Sequence, residues 1–492
     1  MISSFFRHIL EYPAIKGWLE RHPRLAGQIK KRLSTQDFTG LPMTILGGLF
    51  FYVLALLLGI VQSILVYDPL IAVDIRIENL LYFLRSDPAL HFFYVTTLLA
   101  ESGVIIAAAV ALTALLWFQR KRIWVLTLWL TLIPAEAVTY VGKLIFHRGR
   151  PDVIMQAVSE DSFSFPSGHA TSAAAFYGLL TYLLLRNFKS WKARFVTAVT
   201  AAALIVMVDL SRLYLGVHYL SDVLAGNLVG FAALLLAIGA TEWLIAENKV
   251  TRPERFRLRH AAGIVALELV IVFFLVKIAP LPSAGKAELH PKTIPVQAVL
   301  SLFEKGLLPR YTETPTGNKM EPISLIILTP EQCFVDAFSR AHWLLADGIS
   351  LQSAKSMSKA AILNREYPTA PITPSFYNAL PNDFGLEKET DRKSVRSRHH
   401  ARFWKTEYVT SQGTLFVGTI SLDTGLKWGI VHTIAPDIDT ERDLLAADLK
   451  SSGNVLKDEL IPFTKPELGA NFLGDPFFTD GKAVFMTLRS CH

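Results

Sequence analysis

Long apolar segments restrict the fold of this chain more than any other feature of its sequence. Seven of them separate charged loops, and the longest are long enough to cross a bilayer, which takes about 20 mostly apolar residues in a helix. The seven runs are residues 42–67, 91–118, 123–146, 170–185, 195–208, 223–241 and 261–279. We therefore predict an α-helical polytopic membrane domain with about seven transmembrane helices.

The composition agrees with a membrane protein. Hydrophobic residues make up 51% of the chain and charged residues only 18%, whereas about a quarter of a soluble globular domain is charged. The formal charge of +7 arises from short basic clusters between the apolar runs, which is typical of membrane orientation signals. We predict no nucleic-acid partner. The two cysteines, Cys333 and Cys491, exclude a disulfide framework and a four-cysteine metal site.

The basic clusters also predict the orientation. Seven Lys or Arg precede the first run, and further clusters follow the second, fourth and sixth runs. These loops therefore face the cytoplasm by the positive-inside rule. The loops after the third and fifth runs, and everything after the seventh run, should face outward. We expect a cytoplasmic basic segment over 1–40 and no removable signal peptide.

The remaining organisation follows from composition. We predict a transmembrane domain over 41–280 and a linker rich in Pro, Gly and Lys over 281–320. A soluble mixed α/β domain should follow over 321–492, facing outward. Its predicted elements are a strand at 321–330, a helix at 331–348 and a strand at 414–422 closed by a turn at 423–425.

Three short blocks carry residues that suit an anionic ligand, and they fall on the two outward loops and the helix ends beside them. Lys143, Arg150 and Arg212 are cations at the edge of the apolar runs, where a charge is costly and usually functional. In the block Pro166-Ser167-Gly168-His169, Ser167 offers a hydroxyl and Gly168 allows a close backbone approach. A helix beginning there would also direct N–H groups at an anion.

The same blocks contain a candidate nucleophile. His218 and Asp222 are four residues apart, so on a helix they share a face, and the carboxylate can fix the imidazole tautomer. The other ring nitrogen would attack phosphorus. His169 would protonate the leaving oxygen and then activate water. Since fixed cations can stabilise the transition-state charge of phosphoryl transfer, we predict neither a metal nor another cofactor.

These blocks resemble those of the type 2 phosphatidic acid phosphatase superfamily, which also contains bacterial acid phosphatases and vanadium haloperoxidases. The resemblance covers about residues 65–245. It implies catalytic roles for His218, His169 and Asp222. It implies phosphate binding by Lys143, Arg150, Ser167, Gly168 and Arg212. Residues 320–490 are similar to the LssY-type C-terminal domain found on some bacterial members, and this similarity implies no activity of its own.

Some residues have more than one interpretation. Glu136 could neutralise Lys143, seven residues later, or join helices inside the bundle, which is also the favoured role for Glu101 and Glu268. His399, His400, His432 and Asp437 could suggest a metal site. However, adjacent histidines on a strand point to opposite faces, so we favour a structural role.

The preferred hypothesis is a lipid phosphate or pyrophosphate phosphatase in the bacterial inner membrane, with its active site on the periplasmic side and a phosphorylated membrane lipid as substrate. The substrate lipid stays open among undecaprenyl pyrophosphate, phosphatidylglycerophosphate, phosphatidic acid and a lipid A phosphate. Alternatives are a phosphotransferase to a lipid or sugar acceptor, a haloperoxidase, and an envelope scaffold that acts through its C-terminal domain. That domain could bind an envelope partner, and its outward placement would allow a Cys333–Cys491 disulfide.

Overall fold

The structure, a computed structural model, describes residues 12–66, 69–247, 249–250, 256, 258–278, 281–283, 291–427, 431–471 and 474–491. It divides the chain into two compact units. The membrane unit comprises residues 1–74 and 85–285, and the soluble unit comprises residues 75–84 and 286–492.

Helices cover most of the described part of the apolar runs in the membrane unit. The helices of the first part of the chain are α1 (Pro13–Arg21), α2 (Pro23–Arg32), α3 (Leu41–Val66), α4 (Pro69–Phe83), α5 (Asp87–Leu98), α6 (Ser102–Phe118), α7 (Arg122–Phe146), α8 (Gly168–Leu185), α9 (Trp191–Tyr214), α10 (Leu220–Ala246) and α11 (Leu258–Ile278). Helix α4 contributes residues to both units.

The predicted count of seven spans exceeds what length and apolarity support. Among the described residues, six helical stretches qualify: α3, α5 with α6, α7, α9, α10 and α11. The predicted fourth span is present as helix α8, but it does not qualify. Its first turns carry His169, Thr171 and Ser172, which lower its hydropathy. These polar groups are accommodated because most of the helix is buried among its neighbours.

Helix α8 lies in the middle of the bundle. Ala173, Phe176 and Leu180 belong to a core to which α6, α7, α9 and α10 also contribute. Helix α10 approaches it closely at Gly226, where an added Cβ would lie 2.5 Å from the Ser167 carbonyl oxygen. The start of α8 is therefore fixed against α10.

The soluble unit is built on β-sheets. Its strands are β1 (Lys292–Thr293), β2 (Tyr311–Glu313), β3 (Lys319–Pro322), β4 (Leu325–Thr329), β5 (Leu344–Leu345), β6 (Phe376–Tyr377), β7 (Leu380–Pro381), β8 (Phe384–Ser394), β9 (Ser397–Thr410), β10 (Gly413–Lys427), β11 (Val431–Ile434), β12 (Val455–Pro462), β13 (Glu467–Ala470), β14 (Pro476–Thr479) and β15 (Lys482–Leu488). Its α-helices are α12 (Val299–Glu304), α13 (Phe334–Arg340), α14 (Leu351–Leu363) and α15 (Ile438–Ser451).

The principal sheet has the strand order β12-β15-β4-β10-β9-β8-β5, with β1 beside β9 and β11 beside β10. Strand β4 runs parallel to β15 and antiparallel to β10. Successive side chains of β4 point into two different hydrophobic cores. Ile327 belongs to the core that includes α13 and α15, and Ile326 belongs to the core that includes α12. The expected mixed α/β domain is confirmed in its general character.

Three predictions of detail for this unit were wrong. The predicted linker contains α12, whose Val299 is fully buried, because apolar residues with helical spacing stand among its Pro, Gly and Lys. The helix predicted to reach Gly348 ends at Arg340. The predicted turn at 423–425 is instead an irregularity in the pairing of β10 with β11, and β10 continues to Lys427.

The two adjacent histidines of β9 contact different partners, as expected from strand geometry. His399 Nδ1 lies 2.6 Å from Glu441 Oε2, and His400 Nδ1 lies 3.1 Å from Asp423 Oδ1. The His432 side chain lies outside the described part of the structure. Cys333 and Cys491 form a disulfide bond across 158 residues of sequence.

Candidate active site

Four helix ends and the loops attached to them bring the three sequence blocks together. Helix α7 ends just after Lys143, α8 begins at Gly168, α9 ends just after Arg212, and α10 begins two residues after His218. The apolar faces of these four helices pack in one hydrophobic core. Every residue that the sequence predicted for the site lies in this region of the membrane unit.

His218 is the buried centre of the cluster, with 2% of its surface exposed. Its Nε2 lies 3.2 Å from Arg150 Nη1. A guanidinium can only donate, so this nitrogen carries the lone pair. The proton then resides on Nδ1, which lies 3.6 Å from Asp222 Oδ2. This separation exceeds a hydrogen bond, although the tautomer is the one that a nucleophilic Nε2 needs.

The surroundings of His218 disfavour its charged form. Burial lowers the pKa of the imidazole well below its ordinary value, and the positive charges of Arg212, Arg150 and Lys143 lower it further. The ring is therefore neutral at physiological pH. A neutral imidazole among cations is suited to attack an anionic centre, since the lone pair is not protonated.

Asp222 is oriented by a network that the sequence did not reveal. Arg148 donates from Nη1 to Asp222 Oδ1 at 2.5 Å and from Nη2 to Asp74 Oδ2 at 2.8 Å. The backbone N–H of Tyr219 donates to Asp222 Oδ2 at 2.9 Å. Ser221 Oγ also donates to Asp74 Oδ2, at 2.5 Å. The network holds the carboxylate on the Nδ1 side of His218.

The predicted phosphate-binding cations form a connected set. Lys143 Nζ donates to Ser162 Oγ at 2.8 Å, and Arg150 Nη2 donates to the same oxygen at 3.1 Å. Arg150 also donates to the Val217 carbonyl at 2.5 Å. This contact places its guanidinium beside His218. Two of the three cations thus share one hydroxyl, and one of the two, Arg150, also contacts His218.

A carboxylate connects the third cation to the others. Arg212 Nη2 donates to Glu160 Oε1, while Arg150 Nη2 lies 3.6 Å from Glu160 Oε2. Burial would raise the pKa of Glu160, but the charge and hydrogen bond of Arg212 and the charge of Arg150 lower it to about 2. Glu160 is therefore ionised and lies against the cations predicted to bind phosphate.

His169 faces the same space from the first turn of α8. Its Nε2 lies 3.1 Å from Glu101 Oε2 and 3.5 Å from Arg212 Nη1. The nearer partner can only accept, so Nε2 carries a hydrogen directed at Glu101. Glu101 stands at the break between α5 and α6, and that break lets its side chain leave the bundle.

Ser167 and Gly168, at the start of α8, agree only partly with the predicted contacts to an anion. Ser167 is fully buried, and its Oγ has no hydrogen-bond partner among the described residues. Its backbone N–H, however, donates to the Asp222 carbonyl at 3.0 Å. An added Cβ on Gly168 would meet only Thr139 Cγ2 at 4.0 Å, so neighbouring protein atoms do not require a glycine there.

Two cavities open at this cluster. One of about 500 Å³ is lined by Lys143, Arg150 and Ser162, and one of about 650 Å³ by Glu101, His169 and Arg212. Glu160 lines both. The cations and His169 are therefore accessible from these cavities, whereas His218 and Ser167 line neither of them.

The sequence missed Asp74, Arg148 and Glu160 and favoured a structural role for Glu101. A charge inside an apolar run is itself a sign of function, and this could have identified Glu101. Arg148 and Glu160 carry no comparable signal because their loops hold several other charged residues, and Asp74 lies in α4 close to the further charges of Arg76 and Glu78. Glu136 accepts a 2.5 Å hydrogen bond from Ser172, and Glu268 one of 3.4 Å from Tyr177. Both contacts join helices, which is one of the two roles considered for Glu136 and the favoured role for Glu268.

The bundle and its cluster of cations around a neutral, buried histidine define a membrane protein with a site for an anionic ligand. Residues 124–245 match the model of the PAP2 superfamily, and residues 305–483 match that of the LssY C-terminus. The chain belongs to the PAP2 superfamily, which confirms both resemblances inferred from the sequence.

Individual relatives share the membrane unit. Phosphatidylglycerophosphatase B of Bacillus subtilis is 35% identical over 30% of this chain and 72% of its own length. The decaprenylphosphoryl-5-phosphoribose phosphatase of Mycobacterium tuberculosis is 33% identical over 29% of this chain and 69% of its own length. The crystal structure of a transmembrane PAP2-type phosphatidylglycerolphosphate phosphatase from B. subtilis aligns with 29% identity and a TM-score of 0.35, covering 43% of this chain and 98% of that one.

Proposed function

We propose that this chain is a metal-independent lipid phosphate phosphatase that acts through a phosphohistidine on His218 at the outer face of the inner membrane. The observation that carries the proposal is the neutral His218, whose Nε2 lone pair lies 3.2 Å from Arg150 within a group of three cations. The named activities of the relatives support a phosphorylated lipid as the substrate.

The reaction has two steps. In the first, His218 Nε2 attacks phosphorus, the bond from phosphorus to the ester oxygen breaks, and that oxygen takes a proton from His169. In the second, His169 takes a proton from water, the resulting hydroxide attacks phosphorus, and the phosphorus–nitrogen bond breaks to release phosphate. One histidine thus serves as acid and then as base.

The cations stabilise the charge that develops on the three equatorial oxygens. Lys143, Arg150 and Arg212 surround the nucleophile, and the buried Ser167 hydroxyl adds an uncharged donor. We assign Asp222 the task of stabilising the Nδ1 proton as His218 becomes positively charged. The 3.6 Å separation between Asp222 and Nδ1 should shorten in that state, since the attraction grows with the charge.

The face and the compartment are inferred from the basic loops. The cation cluster lies on the loops after the third and fifth predicted spans, which the positive-inside pattern assigns to the periplasm. All eight predicted site residues lie between Lys143 and Asp222. The soluble unit is then left to bind an envelope partner.

One experiment tests activity, metal dependence and face together. A short-chain phosphatidylglycerophosphate that cannot cross membranes is added, with excess EDTA, to membrane vesicles of defined orientation. Right-side-out vesicles should release phosphate at once, and inside-out vesicles only after detergent is added. Activity that requires magnesium, or that appears first in inside-out vesicles, would contradict the proposal.

A further inference from the structure

The side of the site that receives the leaving group can be located from His169. An in-line displacement places the leaving oxygen opposite the attacking His218 nitrogen. His169 must reach that oxygen to protonate it. The cavity of about 650 Å³ that His169 lines is therefore where the rest of the substrate begins.

A carboxylate faces His169 in this cavity. Glu101 Oε2 lies 3.1 Å from His169 Nε2, and 44% of the Glu101 side-chain surface is exposed. Glu101 precedes the first residue of α6, but its side chain makes no capping hydrogen bond. The carboxylate is therefore not held in place by the helix, and its contact is with the residue predicted to act as general acid.

Besides Glu101, the cavity holds a second carboxylate, Glu160, which is paired with Arg212, and the further guanidinium of Arg85. The formal charges therefore balance, and what distinguishes Glu101 is its position beside His169. Glu160 is ionised and lines the cavity as well. Of the two guanidinium groups there, Arg212 belongs to the phosphate being transferred. The Arg85 guanidinium donates to the carbonyls of Tyr214 at 3.1 Å and Met155 at 2.5 Å, so those hydrogens do not point at a ligand.

We propose that this site selects the phosphomonoester of a lipid alcohol over a lipid diphosphate, with Glu101 as the specificity-determining residue. The inference rests on the proposed function and deepens it. A monoester leaves as an uncharged alcohol once His169 has donated its proton. When a diphosphate reacts, the leaving group is the lipid monophosphate, which still carries negative charge. That charge would develop beside Glu101 and Glu160.

The test compares two substrates with the same chain, farnesyl phosphate and farnesyl diphosphate, on the purified full chain in detergent with EDTA. Initial rates of substrate loss give kcat/KM for each. The wild type should favour the monophosphate. Glu101→Gln should shift the ratio toward the diphosphate by about tenfold or more, the scale of one like-charge contact near a protein surface. Asp161→Asn removes an equal charge from an exposed residue that lines the other cavity and not the one shared by Glu101 and His169, so it should leave the ratio unchanged.

A binding measurement separates charge repulsion from weakened acid catalysis. Calorimetric titration with inorganic pyrophosphate and inorganic phosphate involves no proton transfer to a leaving group and works even in a slow variant. Glu101→Gln should tighten pyrophosphate binding about tenfold relative to phosphate binding. An unchanged relative affinity would overturn the inference, as would a wild type that prefers the diphosphate. If the wild type releases phosphate from neither substrate, the proposed function itself fails.

Discussion

At the residue scale, the two histidines of the candidate site have different charged neighbours. His218 is kept neutral by burial and by the cations around it. His169 is paired instead with an acceptor, the Glu101 carboxylate, 3.1 Å from Nε2. A histidine whose outward nitrogen is a lone pair suits attack, and one whose outward nitrogen carries hydrogen suits proton donation. These different neighbours support the proposed roles of nucleophile for His218 and general acid for His169.

The role of His169 as an acid predicts a dependence on the leaving group. His169→Ala should lower kcat/KM for an alkyl phosphate by about 10² to 10⁴, the usual contribution of general acid catalysis. The loss should be much smaller for nitrophenyl phosphate, whose leaving group needs no proton. Both substrates can be followed by rates of phosphate release from the purified protein. Equal losses on the two would contradict an acid role.

The sequence predicted the eight site residues because they lie in three short blocks with fixed spacing. It could not predict Arg148 as the partner of Asp222, since that contact also depends on Asp74, far away in the chain. Nor could it show that Glu160 lies against Arg150 and Arg212. Contacts between separate loops depend on the packed helices, which local spacing does not describe.

At the scale of elements, the contact between α8 and α10 positions His169 and His218 relative to each other. Helix α8 begins with the residues around His169, and α10 begins beside His218. They approach through Gly226 and Gly230, where an added Cβ would lie 2.5 Å from the Ser167 carbonyl and 2.6 Å from the Thr171 carbonyl. Backbone atoms cannot move aside as a flexible side chain can.

Gly226→Ala should therefore displace the start of α8. We expect a loss of about 1–3 kcal/mol in stability, typical of overpacking, and a fall in kcat of about tenfold or more, since small misplacements of catalytic groups are costly. Thermal unfolding in detergent and phosphate release measure the two effects. Gly263→Ala in α11 is the matched control because an added Cβ there meets nothing within 4 Å. A Gly226→Ala protein as stable and as active as the control would contradict this account of the packing.

The same helix shows why the number of spans was harder to predict than their existence. The long apolar runs 42–67 and 123–146 identified α3 and α7 to within a few residues, and the run 91–118 identified α5 and α6 together. Helix α8 combines apolar residues with the polar groups of the site at its start, so its hydropathy is ambiguous. A buried helix does not need a lipid-facing surface, and its composition can depart from that of a single span.

For the whole molecule, the division into a helical membrane unit and a sheet-rich soluble unit followed from composition alone. Composition did not predict the residue at which the soluble unit begins. Residues around Val299 were assigned to a linker, yet they form α12 and fill a core of the soluble unit. The pairing of β4 with β15, more than 150 residues away, was equally beyond prediction, because nothing in a strand's own pattern identifies a distant partner.

The central claim of the proposed mechanism is that His218 becomes phosphorylated. In a His169→Ala protein, hydrolysis of the phosphohistidine lacks its base. The phosphorylated protein formed from nitrophenyl phosphate should therefore accumulate. Quenching in alkali preserves a phosphohistidine, and peptide mass spectrometry locates it. We predict a phosphoryl group on His218 and none in the protein that also carries His218→Ala. His218→Ala alone should lower turnover by several orders of magnitude. A phosphoryl group on another residue, or turnover within about tenfold of wild type after His218→Ala, would contradict the proposed mechanism.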